Sequence, residues 1–313
     1  LIMQRKPKII ILGAGMSGIA CALSLHDNFD VHIYEKSRGV GGRLCAKSLP
    51  NGLFHFGAQF CSAQTSSFQE FLTQNNAINF LGSSFDIKIN SSIETKDYFV
   101  AENGMHTLLK NYEQHLNLNF NKKAIKIDER KKLVYFNSGY KESYDMIISS
   151  LPLPQAKEVF QSEIDHQATF NPCISVGMTL VGSPIYEHFG YKNINEDISW
   201  LGTSKFYNKK NAETWVLQFS PKASIAMMND TDSLIQTRAE DGFKSIIKGK
   251  YTLIHSGIFR WKYALCSRSD LNNEYTCVSE DAFAIGDWNL SPRVESAYVS
   301  GSALGKYLTE KRL

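Results

Sequence analysis

The sequence carries almost no surplus of either charge: 34 Lys and Arg against 31 Asp and Glu leave a formal +3 over 313 residues. That balance gives no basis for nucleic-acid binding, which needs a clustered basic face. The densest basic stretch, residues 121–132, also holds Asp128 and Glu129 and reads as a solvated strand and turn. The six cysteines (Cys21, Cys45, Cys61, Cys173, Cys266, Cys277) contain no C-x-x-C pair. In a chain of this length they predict buried or free thiols of a reducing compartment, not a disulfide framework. The eight histidines show neither H-x-H nor H-E-x-x-H spacing, so no metal site is indicated. No run reaches the roughly 20 apolar residues of a membrane span. Arg5, Lys6 and Lys8 before Ile9-Ile10-Ile11-Leu12 imitate a secretory leader, but Gly13 and Gly15 break the run at once. A cytoplasmic protein is therefore expected.

What is present begins at residue 8. Lys8 to Leu12 is a β-branched run of strand length. Gly13-Ala14-Gly15-Met16-Ser17-Gly18 follows, then a helix-forming apolar stretch, then Val31-His32-Ile33-Tyr34 ending at Glu35. This is a βαβ unit with G-x-G-x-x-G at its first turn and an acid about 20 positions on, the pattern that cradles a dinucleotide. Gly13 permits the tight turn, Gly15 admits a pyrophosphate to the backbone, and Gly18 lets helix and strand pack closely. Met16 and Ser17 open the helix, whose N–H groups and partial positive charge face the phosphates. Glu35 is expected to accept from both ribose hydroxyls. The fold class that follows is α/β, α+β overall: a Rossmann-type domain with a parallel sheet and a second, mostly antiparallel domain. The second domain is expected because residues 173–180 and 214–219 form short β-type runs among Asn, Lys and Gly turns. Helices are expected at 224–228 and 232–248. Near the C-terminus, Ser291 and Pro292 have the residue types of an N-cap and first helical position. Val294, Ala297, Tyr298, Gly301, Leu304 and Leu308 then recur at helical spacing.

Beyond the βαβ unit, the stretch Glu35-Lys36-Ser37-Arg38-Gly39-Val40-Gly41-Gly42-Arg43 resembles the E-K-x-x-x-x-G-G-R segment of amine-oxidase-like flavoproteins. Phe54-His55-Phe56-Gly57-Ala58-Gln59-Phe60 resembles the F-x-x-G-A-Q-[FY] segment of the renalase-like family, bacterial type. So do the blocks around Trp200, Trp215, Arg260-Trp261-Lys262-Tyr263-Ala264 and Gly286-Asp287-Trp288. The resemblance implies non-covalent FAD, held by Gly13, Gly15, Met16, Ser17, Gly18, Glu35, Lys36, Gly42 and Arg43 at the nucleotide end. It adds Gly57, Ala58, Gln59 and Phe60 beside the flavin ring, and a backbone contact from Ala124 to adenine. Gly286 and Asp287 fall at the ribitol, and Arg293, Val294, Glu295 and Ala297 at the helix start aimed at the ring. The same resemblance splits the chain into an FAD-binding domain (1–63, 99–155 and 278–313) and a substrate domain (64–98 and 156–277). It implies that dihydronicotinamide isomers, the 2- or 6-dihydro forms of NAD(P), give hydride to flavin N5 and then electrons to oxygen. Gln59, Trp200, Trp261 and Trp288 would line the pocket, whereas Trp215, beside Val216 and Leu217, reads as core. Phe259 departs from relatives that carry histidine before R-W-[RK]-Y. A flavin amine oxidase, or an FAD-binding protein without redox turnover, stays open on these residues.

Overall fold

The structure, a computed structural model, describes residues 5–161, 164–206, 213–267 and 273–311. Lys8–Leu12 forms the first strand, β1, and pairs in parallel with both Asp30–Tyr34 (β2) and Met146–Ser149. Ala282–Ala284 and Asn117–Asn119 extend the sheet in the same direction, and Thr276–Ser279 closes one edge antiparallel. The inner strands are apolar along their length because helices cover both faces of a parallel sheet: Ile9, Ile10, Ile11 and Leu12 are all buried.

Helix α1, Met16–Leu25, is almost wholly buried, since it lies between this sheet and the C-terminal helix Val294–Lys311. Small residues make that double burial possible. A Cβ on Gly301 would sit 2.1 Å from the Ser17 carbonyl oxygen, and one on Gly305 would sit 3.0 Å from that of Cys21. The terminal helix begins later than the Ser-Pro signal predicts. Arg293 N–H bonds back to the Ser291 carbonyl, and Ala297 N–H to the Arg293 carbonyl. Arg293, not Ser291, thus holds the N-cap position. The Ser291 hydroxyl is instead paired with that of Ser296 at 2.8 Å, so the chain is still turning at Pro292.

The second sheet has seven strands, in the order Lys248–Cys266, Phe170–Ile185, Thr214–Phe219, Ile198–Thr203, Gly190–Lys192, Ile78–Asp86, Ser91–Val100. It is antiparallel except where Gly190–Lys192 runs with Ile78–Asp86. Two of its strands, of 16 and 19 residues, are far longer than the short runs expected from sequence. Alternation on Thr214–Phe219 sends Trp215, Leu217 and Phe219 to a core under the helix Asp232–Ile246, with Phe243. Val216 turns the other way, onto Phe54 and Phe56. The helix expected at 224–228 forms at Pro221–Ala226, because Ser220 caps it and Pro221 supplies the first position. Among the described residues no helix is long and apolar enough to cross a membrane.

Candidate functional site

Three parallel strands end side by side at Gly13, Glu35 and Ser150, and the crevice beyond their C-terminal ends is where open α/β sheets bind ligands. Gly13 adopts φ +104, left-handed backbone that a side chain would strain, and a Cβ there would also meet the Ser150 hydroxyl at 2.5 Å. That hydroxyl locks the turn by sharing its one O–H between the carbonyls of Leu12 and Gly13, each at 2.9 Å. Gly18 packs so closely that a Cβ would fall 2.2 Å from the Gly13 carbonyl oxygen, whereas a Cβ on Gly15 would meet nothing within 4 Å. The open side of the turn therefore lies at Gly15, beside Gly42, whose own Cβ would come 3.6 Å from Gly15 Cα. Helix α1 starts there with no side-chain cap and no acid in its first turn. Its N–H groups, with Met16 and Ser17 packed behind, are available to an anion.

Glu35 lines a cavity of about 110 Å³ together with Gly13, Lys36, Ala124, Leu151 and Gln155. Its carboxylate is buried and already accepts from Ala14 N–H at 2.9 Å and Ser37 N–H at 2.8 Å. One lone pair on each oxygen is left for a ribose, so Glu35 holds the glycine turn as well as any ligand. Ala124 begins the strand Ala124–Asp128, where an irregularity between Ala124 and Lys126 interrupts the pairing to the neighbouring strand.

Arg43 differs from its expected role. Its two terminal nitrogens bind both Asp287 oxygens, Nη1 to Oδ2 at 2.8 Å and Nη2 to Oδ1 at 2.5 Å, and Nη1 also reaches the Ala264 carbonyl at 3.1 Å. Burial works against the guanidinium charge, but Asp287 more than offsets it and holds Arg43 protonated above the ordinary arginine value. The fork expected on phosphate and the carboxylate expected on ribitol are thus joined to each other. The Cys266 thiol donates to the same Asp287 at 3.3 Å, and burial, with that carboxylate, raises its pKa.

The segment Phe54–Phe60 links the two sheets. Gly57 is small because its Cβ would lie 2.0 Å from the Arg43 carbonyl oxygen, and Ala58 N–H donates to that oxygen at 2.9 Å. Both residues therefore pack on the second glycine-rich loop. Phe60 sits edge-on to Tyr98 and Phe189. Gln59 is buried, its Oε1 accepts from Trp200 Nε1 at 3.2 Å, and among the described residues its Nε2 has no partner. Trp261 donates to the Phe56 carbonyl at 2.9 Å. Gln59, Trp200 and Trp261 thus converge on one short segment.

Trp288 does not join them, which corrects the pocket-lining role expected of it. It is fully buried among Leu12, Ile147 and Leu153, donates to the Leu151 carbonyl at 3.2 Å, and meets the His166 ring edge-on. A side chain enclosed on all sides offers no face to a substrate. Glu295 is likewise occupied: Gln64 N–H, Thr65 N–H and the Thr65 hydroxyl all bind its Oε1, and Arg293 binds its Oε2 at 2.9 Å. Arg293 also reaches Ser62. This pair ties the start of the terminal helix to the helix at Ser66–Gln74, leaving Gly286, Val294 and Ala297 as the chain around Asp287 and the first turn.

Sequence reasoning passed over Gly104-Met105-His106. Gly104 turns with φ +107, and a Cβ on Gly41 would come within 2.7 Å of His106 Cβ, so this turn presses on the glycine-rich loop. The His106 Nδ1 is buried with no partner among the described residues, and burial, then Lys110, lowers its pKa. Nearby His55 is pushed down to about 4 by burial. A Gly just before Met-His, following a strand, was the available signal.

Known proteins can be set beside this geometry. Residues 11–74 match the NAD(P)-binding Rossmann-like domain family. Renalase of Mus musculus is 26% identical over 169 residues, 49% of each chain. Across that stretch the chain is similar to renalase. It spans about half the length of the curated relative it matches. Two solved structures share the whole fold: reduced UDP-galactopyranose mutase (TM-score 0.80, 12% identity, 97% of this chain and 96% of that one) and putrescine oxidase with putrescine bound (TM-score 0.71, 10% identity, 97% and 99%). At such identities they speak for the fold, a parallel dinucleotide-binding sheet joined to an antiparallel one.

Proposed function

We propose that the chain is a cytoplasmic FAD-dependent oxidase of renalase type, acting on dihydronicotinamide isomers with oxygen as final acceptor. The carrying observation is the open backbone at Gly15, facing both the uncapped start of α1 and Glu35, on a Rossmann sheet with similarity to renalase. The residues present fit the cofactor. Gly13 to Gly18, Glu35, Lys36 and Ala124 would hold the adenosine end, with Gly42 at the pyrophosphate. Gly57, Ala58, Gln59 and Phe60 would lie by the ring, and Gly286, Asp287, Val294 and Ala297 on the ribitol side. The orphaned Gln59 Nε2 is a buried donor of the kind such a group satisfies.

FAD, when bound, supplies a two-electron acceptor. The protein's part is orientation and exclusion of water. Trp200 fixes the Gln59 amide, so Nε2 is the end left to donate, and Trp261 is pinned through Phe56. A dihydronicotinamide regains aromaticity on losing hydride, so no general base is required of this site.

The test mixes purified protein with dihydronicotinamide isomers and, separately, with primary and secondary amines. Bleaching of a bound flavin by the isomers supports the proposal. Bleaching by amines alone replaces it with an amine oxidase, and no bleaching leaves a flavin-binding protein without turnover. FAD should be released intact by acid precipitation; flavin retained on the polypeptide contradicts non-covalent binding.

A further inference from the structure

We propose that Lys47 is a specificity residue that recognises an anionic group beside a flat ring, so that the site selects planar anions over free amines. This rests on the reading above, in which the face next to Phe54–Phe60 is the substrate side. The argument begins with the edge strand Lys248–Cys266. Residues two apart on a strand share a face, so Phe259 and Trp261 form a half-buried aromatic pair, with half-buried Tyr263 beyond an irregularity in the pairing. Arg260 points the other way, to Asp230 and Asp232. Phe259 and Trp261 lie 4.3 Å apart between ring centroids, and Phe56 stacks on Phe259 at 6.0 Å. These rings are held by the Trp261 bond to the Phe56 carbonyl.

Over Phe259 lies a cation with no acid beside it among the described residues, and a second lysine, Lys262, lies over Tyr263 with Nζ 5.3 Å from the ring centre. Lys47, on the short strand Lys47–Leu49 that follows the glycine-rich loop, places Nζ 4.7 Å from the centre of the Phe259 ring. An ammonium over an aromatic face is attracted to it, which seats the charge without a counter-ion. The Lys47 side chain makes no ion pair or hydrogen bond among the described residues, while its backbone pairs in the short strand with Phe54. The nearby Arg43, over Phe170 at 5.7 Å, is by contrast taken up by Asp287. Lys47 is exposed, so its three N–H donors can reach a ligand. A carboxylate or phosphate carried by a ring lying against Trp261, beside Phe259, would meet this ammonium. A free alkylammonium would meet a like charge.

Four ligands sharing one ring test this on the FAD-loaded protein: benzoate, phenyl phosphate, neutral benzamide and cationic benzylamine, each titrated by quenching of tryptophan fluorescence. At least one anion should bind about tenfold more tightly than benzamide, the scale of one charge-assisted hydrogen bond, and benzylamine should bind most weakly. The tighter anion tells carboxylate from phosphate. Lys47→Gln should bring the anions to the benzamide level, and Lys47→Arg should keep the preference. Benzamide or benzylamine matching the anions, an anion preference that survives Lys47→Gln, or no quenching by either anion overturns the proposal. FAD content is measured on the same samples. A protein that takes up no FAD overturns the underlying reading, while full FAD with no anion preference overturns the Lys47 assignment alone.

Discussion

Removing either member of the Arg43–Asp287 pair should cost stability unequally, because the two ends are buried to different depths. The Asp287 side chain is 7% exposed and that of Arg43 31%. Arg43→Met strands the deeper charge, with the Cys266 thiol still bonded to it. Breaking a buried pair from one side costs about 3–5 kcal/mol, so a loss of about 4 kcal/mol is expected for Arg43→Met. Asp287→Asn keeps an acceptor oxygen and leaves a guanidinium that water can reach, so about 2 kcal/mol is expected. The double variant contains neither stranded charge. Its loss should fall short of the sum by about 2 kcal/mol, within the range for residues in direct contact. Urea unfolding of the flavin-free protein, followed by circular dichroism, measures all three. Additivity within about 0.5 kcal/mol, or an Asp287→Asn loss equal to that of Arg43→Met, would refute the reasoning.

Glu35→Gln should weaken FAD binding and also lower the stability of the flavin-free protein, because the carboxylate carries Ala14 and Ser37 N–H groups; unchanged FAD occupancy at limiting cofactor removes Glu35 from the site. His55 has a folded pKa of about 4 against an ordinary 6.5. Its contribution is thus fully present above pH 6.5 and is lost as the pH falls toward 4, a difference worth about 3 kcal/mol. The acid limb of stability should flatten in His55→Gln, and an identical slope between pH 6.5 and 4 would count against this. Trp288→Ala should cost about 3–5 kcal/mol as a core truncation, with FAD reduction rates little changed at temperatures where it is folded; a slowed reduction in a protein of unaltered stability would return Trp288 to the pocket.

The dinucleotide fold was legible in the sequence because its signals are local. A buried strand, a glycine turn, a helix and an acid follow one another within 28 residues, Lys8 to Glu35, and each dictates its own backbone. Gly13 and Gly18 do what that pattern predicts, since turn geometry and close packing depend on neighbours in sequence or one strand away. The antiparallel character of the second sheet was readable for the same reason, but its long strands were not, because pairing of Phe170–Ile185 with Lys248–Cys266 is set by residues some 80 positions apart. Side-chain partners were less legible still. Arg43 finds Asp287 across 244 residues, and Glu295 finds Thr65 across 230. Trp288 follows a flavoprotein-like Gly-Asp yet turns into the core. A motif states which residue types are present. Where a charge or a ring comes to rest is decided by what else is buried beside it, because a buried polar group must find its partner wherever the fold supplies one.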